Sequence, residues 1–161
     1  MDMPDAPAQA KRFDKTRAER SNALLEDYVE LIADLFAANG EARAADIARR
    51  IGVTHPTALK NIARLRREGL VTARPYRGLF LTEAGQILAD VARARHRLVV
   101  DLLMAVGAPR EAAEADAEGM EHHVSRTTLK AFERFLGERR QARSGGAAGE
   151  GARAEPSATE R

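Results

Sequence analysis

The chain has 161 residues, 44% of them hydrophobic and only 4% aromatic, so a core must be built from Leu, Ile, Val and Ala, which suits packed helices. It contains no Cys, which excludes disulfides, thiolate zinc sites and cysteine catalysis and fits a reducing cytoplasm. No apolar run is long enough to span a membrane and the N-terminus has no apolar signal core, so neither membrane insertion nor export is expected. The formal net charge of +2 conceals an asymmetry: residues 42–97 carry twelve Lys and Arg against four Asp and Glu, while both flanks are acidic. A basic middle between acidic flanks points to a polyanion-binding face, with a cation wanted elsewhere.

Residues 1–20 contain Pro4 and Pro7 and mixed charge without apolar periodicity, and read as a disordered arm. Ser21 or Asn22 caps a first helix that runs to about Ala38 and stops at Asn39-Gly40. Leu24, Leu25, Tyr28, Leu31, Ile32 and Leu35 form its buried stripe. Asp27 falls at the border of that stripe, with Glu30 beside it one turn on. A carboxylate at the edge of a core needs a partner, and by itself Asp27 reads as a cap or as the partner of an Arg.

A short helix over about 44–51, a turn at Gly52 and a second helix opening with Pro56 follow. Ile47, Ile51, Val53, Leu59, Ile62 and Leu65 are spaced to lock the two together, as in a helix-turn-helix. The N-terminal end of the second helix would enter the major groove, presenting Thr54, His55, Pro56, Thr57, Ala58, Lys60 and Asn61. Asn61 could read adenine, Thr57 or Ala58 could meet a thymine methyl, and Arg64 and Arg67 suit phosphates. Residues 70–73 and 79–82 are β-prone runs around a Pro/Gly turn, a hairpin that would form a wing. Arg74 and Arg77 at its tip suit neighbouring phosphates or the minor groove.

Thr82 opens a long helix to about Ala105, with Leu88, Val91, Leu98 and Leu102 on its apolar positions. His96 lies midway along it among Arg93, Arg95 and Arg97, and by its surroundings alone reads as a surface or core residue. After Gly107-Ala108-Pro109 comes a helix carrying Asp116-Ala117-Glu118-Gly119-Met120-Glu121-His122-His123-Val124-Ser125. Positions 118, 121 and 122 are i, i+3 and i+4, so two carboxylates and an imidazole converge on one helix face. Such oxygen-rich donors with some nitrogen are what six-coordinate Mn²⁺ or Fe²⁺ takes, and a solvated acidic helix face accounts for the same three residues equally well. His123 points away from that face and reads as structural. Ser125 caps a last helix over about 126–140, with Leu129, Phe132, Phe135 and Leu136 on its apolar face, and residues 141–161 read as a disordered tail.

The pattern as a whole, a winged helix-turn-helix, Arg95-His96 on a long helix, then Glu118-Gly119-Met120-Glu121-His122-His123, closely resembles the diphtheria-toxin-repressor family, in its manganese-responsive branch. Glu26-Asp27-Tyr28-Val29-Glu30 and Tyr76-Arg77-Gly78 support the resemblance, which covers about residues 22–136. The family's manganese members bind two adjacent metal ions. The resemblance therefore implies Asp27, Glu30, His96, Glu118, Glu121 and His122 as ligands of two Mn²⁺ per chain, with Fe²⁺ also accepted. In the iron branch Met and Cys stand where Asp27 and Glu118 stand here, and that exchange of soft for hard ligands suits Mn²⁺. The expected fold is mainly α: a winged helix-turn-helix over residues 21–82, then a helical metal-binding and dimerisation domain over 83–140. The expected function is a cytoplasmic, non-enzymatic, Mn²⁺-activated homodimeric repressor of manganese uptake genes on a palindromic operator. Two other classes fit parts of the pattern: a metal-independent winged-helix regulator sensing an organic ligand, and a di-metal enzyme on a helical scaffold.

Overall fold

The computed structural model describes residues 5–74 and 78–147. Helix α1 spans Ala6–Asn39, so the expectation of a disordered arm over residues 1–20 is corrected from Ala6 onward. Its N-cap is Asp5, not Ser21 or Asn22: the Asp5 carboxylate accepts from the Ala8 N–H at 2.8 Å, and Pro7 sits in the first turn, where its missing N–H costs nothing. From there to Asn39 no Gly or Pro interrupts the chain, and Gly40 (φ 72°) stops it, its N–H donating to Phe36 O at 2.8 Å.

Helices α2 (Ala44–Ile51) and α3 (His55–Arg67) form the helix-turn-helix. Gly52 makes the turn with φ 78°, and the Thr54 hydroxyl caps α3 by accepting from the Thr57 N–H at 3.4 Å. The buried face of α3 is Ala58, Ile62 and Leu65. Ile62 and Leu65 are buried as expected, but at the start of the helix Ala58 is the fully buried residue, whereas Leu59, expected in the lock between the helices, is 47% exposed. Strands β1 (Val71–Arg74) and β2 (Gly78–Leu81) pair antiparallel from Val71 opposite Leu81 to Arg74 opposite Gly78. Leu79 N–H also donates to Ala42 O at 2.9 Å, which stitches the hairpin to the start of the helix-turn-helix.

Helix α4 (Glu83–Ala105) begins under a Thr82 cap and packs against α1, α5 (Arg110–Met120) and α6 (Arg126–Ala147). Gly85 is needed at its start, because a Cβ there would lie 2.0 Å from the Leu70 carbonyl oxygen. Helix α6 continues past residue 140 to Ala147, correcting the expected start of the tail; residues 148–161 and the wing turn 75–77 lie outside the described residues. The Ala, Glu, Arg and Gln of residues 138–143 are good helix formers and account for the extension. The architecture is thus mainly helical, a winged helix-turn-helix followed by a helical domain.

Two apolar clusters hold these parts. The larger joins Leu25, Tyr28, Val29, Ile32 and Leu35 of α1 to Ile47, Ile62, Leu65, Val71 and Leu79. The smaller joins Val99 and Val100 of α4 to Ala113 and Ala117 of α5, with Leu103, Ala108 and Leu129 against them. Helix α1 is the shared element: one face is the core of the DNA-binding half and its edge faces α4.

Candidate metal centre and DNA-reading face

Between α1, α4 and the end of α5 lies an open cavity of about 340 Å³ lined by Asp27, Glu30, Asp34, Arg50, Arg93, His96, Glu118 and Glu121, with Leu31. Helix α1 supplies Asp27 and Glu30 from the solvent edge of its apolar stripe, where the spacing of Tyr28 and Ile32 turns them toward α4. Helix α4 supplies His96. Helix α5 ends at Met120, one residue before Glu121, so the motif is not the unbroken helix that its spacing predicts. Glu121 nevertheless keeps helical angles (φ −58°, ψ −34°), which preserves its spacing to Glu118, and His122 follows in the turn.

The structure brings the six expected ligands into one neighbourhood. Glu121 is its centre and is 3% exposed. The His96 Nδ1 lies 2.7 Å from Glu121 Oε2, and the His122 Nε2 lies 3.6 Å from Glu121 Oε1 and 3.5 Å from Asp27 Oδ1. Glu30 and Glu118 line the same cavity, Glu118 from its exposed rim. As placed, no three His, Asp or Glu among the described residues already form an ion-holding group: the donors ring the cavity rather than meeting at a point.

The electrostatics of the ring favour a cation. Burial pushes the Glu30 carboxyl up to about 7, and the charges of Glu121, Asp27 and Glu118 add to the push against the pull of Arg93. Burial also raises Glu121, against the opposing pull of His96, His122 and Arg95. His96 is raised although burial opposes it, because Glu114 and Glu121 stabilise its cation. Four carboxylates and two imidazoles, with no thiolate or thioether among them, make a hard donor set. That set fits Mn²⁺ or Fe²⁺ and would not retain a soft ion by sulfur.

Two further residues, not expected as ligands, touch the candidate ligands. Glu26 and Arg95 are paired, with Arg95 Nη2 2.5 Å from Glu26 Oε2, and Glu26 Oε2 also lies 2.9 Å from His122 Nδ1. Glu26 stands four residues before Glu30, hence on the same face of α1, and that spacing was the available signal. Glu114 is a further neighbour, 3.1 Å from His96 Nε2. His123 stays off the metal face, its Nδ1 3.3 Å from Glu19 Oε2 on the N-terminal extension of α1.

On the other side of α1, the start of α3 is bare. Thr54, His55, Pro56, Thr57 and Lys60 are exposed, and Leu59 stands among them. Asn61 is corrected: its side chain turns inward and its Nδ2 donates to the Tyr28 hydroxyl at 2.9 Å, so it braces α3 on α1 instead of facing outward. Ala58, also expected outside, is buried. Arg64 is half-buried, pairing with Glu68 at 2.8 Å and donating to Ser21 O at 3.4 Å. Arg74 is exposed and lies over the Phe80 ring at 5.3 Å, while Arg77 lies outside the described residues.

Comparison with known proteins agrees with this division. A family model described as the iron dependent repressor N-terminal DNA binding domain matches residues 23–79. A second, the iron dependent repressor metal binding and dimerisation domain, matches residues 82–147. The transcriptional regulator MntR of Escherichia coli O157:H7 is 48% identical over 123 residues, covering 76% of this chain and 79% of that protein. The HTH-type transcriptional regulator MntR of Bacillus subtilis (strain 168) is 35% identical over 101 residues, covering 63% of this chain and 71% of that protein. Among solved structures, the manganese regulator SloR superposes with a TM-score of 0.62 at 30% identity, covering 70% of this chain and 53% of the SloR chain. The chain therefore belongs to the diphtheria-toxin-repressor family of iron-dependent repressors, as an MntR-like DNA-binding transcriptional regulator.

Proposed function

We propose that the protein is a manganese-activated repressor in which Asp27, Glu30, His96, Glu118, Glu121 and His122 hold two Mn²⁺ per chain and thereby fix the DNA-reading helices. The observation that carries this reading is the cavity itself. Its carboxylates come from α1 and α5 and its imidazole from α4, so any cation satisfying them ties three elements together. Bound Mn²⁺ would supply positive charge and take oxygen donors, offsetting the burial that raises Glu30 and Glu121 and, at Glu30, the neighbouring carboxylate charges. Fe²⁺ accepts the same donors, so selectivity rests on geometry and supply.

Helix α1 carries the signal. Asp27 and Glu30 flank Tyr28, whose hydroxyl accepts from Asn61 of α3, and Arg64 of α3 reaches Ser21. Arg50, at the end of α2, reaches the rim of the acidic cavity. Drawing α1 toward α4 thus bears on both helices of the reading head. The reading takes the protein as a homodimer with two-fold symmetry, and supporting apolar surface is present: Ile87 and Val91 of α4 are 57% and 55% exposed, one helical turn apart. A groove of Val91, Ala94, Leu98 and Leu129, edged by Arg95, Arg97, Asp101 and Glu133, adjoins them. Two α3 helices set about 34 Å apart would meet successive major grooves of a palindromic operator. The targets in this reading are manganese uptake genes and the compartment is the cytoplasm; among the described residues no helix is long and apolar enough to cross a membrane.

The experiment is selection of fragmented genomic DNA by metal-stripped protein with chelator, with Mn²⁺ and with Fe²⁺ under anaerobic conditions. Defined fragments retained only with metal are expected, and Glu121→Ala should abolish the difference. Equal retention with chelator would remove the metal from the mechanism, and unchanged Mn²⁺ dependence in Glu121→Ala would remove this site.

A further inference from the structure

Resting on that reading of the cavity, we propose that Glu26, held in place by Arg95, is a positioning residue that keeps the proton of His122 on Nδ1 and so presents its Nε2 lone pair to the metal. Neither residue is among the six candidate ligands. The three side chains come from three different elements: Glu26 from α1, Arg95 from α4 and His122 from the turn after α5.

The distances assign the proton. His122 Nδ1 has two neighbours, Glu26 Oε2 at 2.9 Å and Arg95 Nη2 at 3.3 Å. A carboxylate only accepts and a guanidinium only donates, so the two neighbours require opposite states of Nδ1. The carboxylate is nearer, and Arg95 Nη2 already lies 2.5 Å from the same Glu26 oxygen. Nδ1–H donating to Glu26 leaves no donor facing a donor in the stronger contact, and Arg95 keeps its own bond to the same carboxylate. With Nδ1 protonated, Nε2 of the neutral ring carries the lone pair, and Nε2 is the atom that lies 3.5 Å from Asp27 and 3.6 Å from Glu121, on the cavity side.

The bracket is sheltered from water: the side chains of Glu26, Arg95 and His122 are 14%, 16% and 10% exposed. In that setting the charge-assisted contacts are worth more than on a surface. Arg95 serves two acids, since it also lies 3.6 Å from Glu121 Oε1. It holds the Glu26 carboxylate aimed at the ring, acting on the metal through Glu26 and His122. A carboxylate behind a ligating imidazole fixes the ring orientation and raises its basicity, and loss of such a partner typically weakens metal affinity 10–100-fold.

The test uses full-length protein with ¹⁵N-labelled histidine. His122 is identified among the four histidines by the signals missing in His122→Gln. Long-range ¹⁵N–¹H spectra of the metal-stripped protein, taken above the imidazole titration range, read the tautomer without any metal. Wild type is expected with the proton on Nδ1, and Glu26→Gln, which keeps the shape but loses the charge, with a mixture of tautomers and Mn²⁺ affinity lower by about 10–100-fold. A wild-type proton on Nε2 overturns the proposal, and so does Glu26→Gln binding Mn²⁺ as tightly as wild type. Should Glu26→Gln lose its helical circular dichroism, the wild-type tautomer alone decides. Wild type binding no Mn²⁺ at all would overturn the metal reading of the cavity, an outcome distinct from a wild type that binds and a Glu26→Gln variant that binds equally.

Discussion

Replacing Tyr28 by Phe removes a single oxygen atom from the hinge between the acidic cavity and the reading helix. The ring is fully buried in the larger core cluster and has every reason to stay, because Phe fills the same space. What goes is the 2.9 Å hydrogen bond that Asn61 of α3 donates to the hydroxyl. Asn61 is only half-buried, so water can replace the lost acceptor, and the stability cost belongs at the low end for a side-chain hydrogen bond, about 0.5–1 kcal/mol. If that bond is one of the ties through which α1 sets α3, up to about 1 kcal/mol is also withdrawn from coupling, and DNA affinity at saturating Mn²⁺ should fall about 5-fold. Mn²⁺ affinity measured without DNA should not move, since no candidate ligand is altered. The assay is fluorescence anisotropy of an operator duplex taken from the genomic selection, titrated with protein at saturating Mn²⁺, beside a urea melt of the same variant. Loss of stability with unchanged DNA affinity would refute the coupling role and leave the bond as packing. A gain in DNA affinity would refute it more pointedly, by showing that Asn61 reads DNA once released.

Other perturbations follow from the same geometry. Gly85→Ala drives a Cβ into the Leu70 carbonyl at 2.0 Å, a backbone contact that cannot swing away, so a loss of about 3 kcal/mol or more is expected in urea melts. In the metal-stripped protein Glu30 binds its proton more tightly when folded, about 7 against the ordinary 4.5, so its stabilising protonation is complete below the ordinary value and is lost as pH rises through about 7. After discounting for solvent screening, the wild type should lose about 1–2 kcal/mol over that window, a loss that Glu30→Gln should reduce; a pH-independent urea midpoint would contradict the burial argument. Lys60 is exposed at the reading end of α3, so Lys60→Ala should weaken binding to all duplexes and reduce the salt slope of log K by about one if it meets a phosphate.

Most elements are legible in the chain because their boundaries are local chemistry. Gly40 and Gly52 adopt positive φ where helices stop, and Thr54 and Thr82 place hydroxyls on the first free N–H groups of α3 and α4. The same logic, applied one step further, would have found the start of α1: Asp5-Ala6-Pro7 is a cap followed by a first-turn Pro, where two prolines read together suggested a break. The acidic motif is likewise legible, since spacing alone puts Glu118 beside Glu121. Spacing says nothing, however, about what stands opposite. That His96 leaves its run of arginines to meet Glu121, that Arg95 beside it turns to Glu26, and that Asn61 faces Tyr28 rather than solvent all depend on how α1, α4 and α3 are rotated against one another. Those rotations are decided by the two apolar clusters, whose burial energy far exceeds any one polar contact, and the polar side chains take the partners that this packing leaves them.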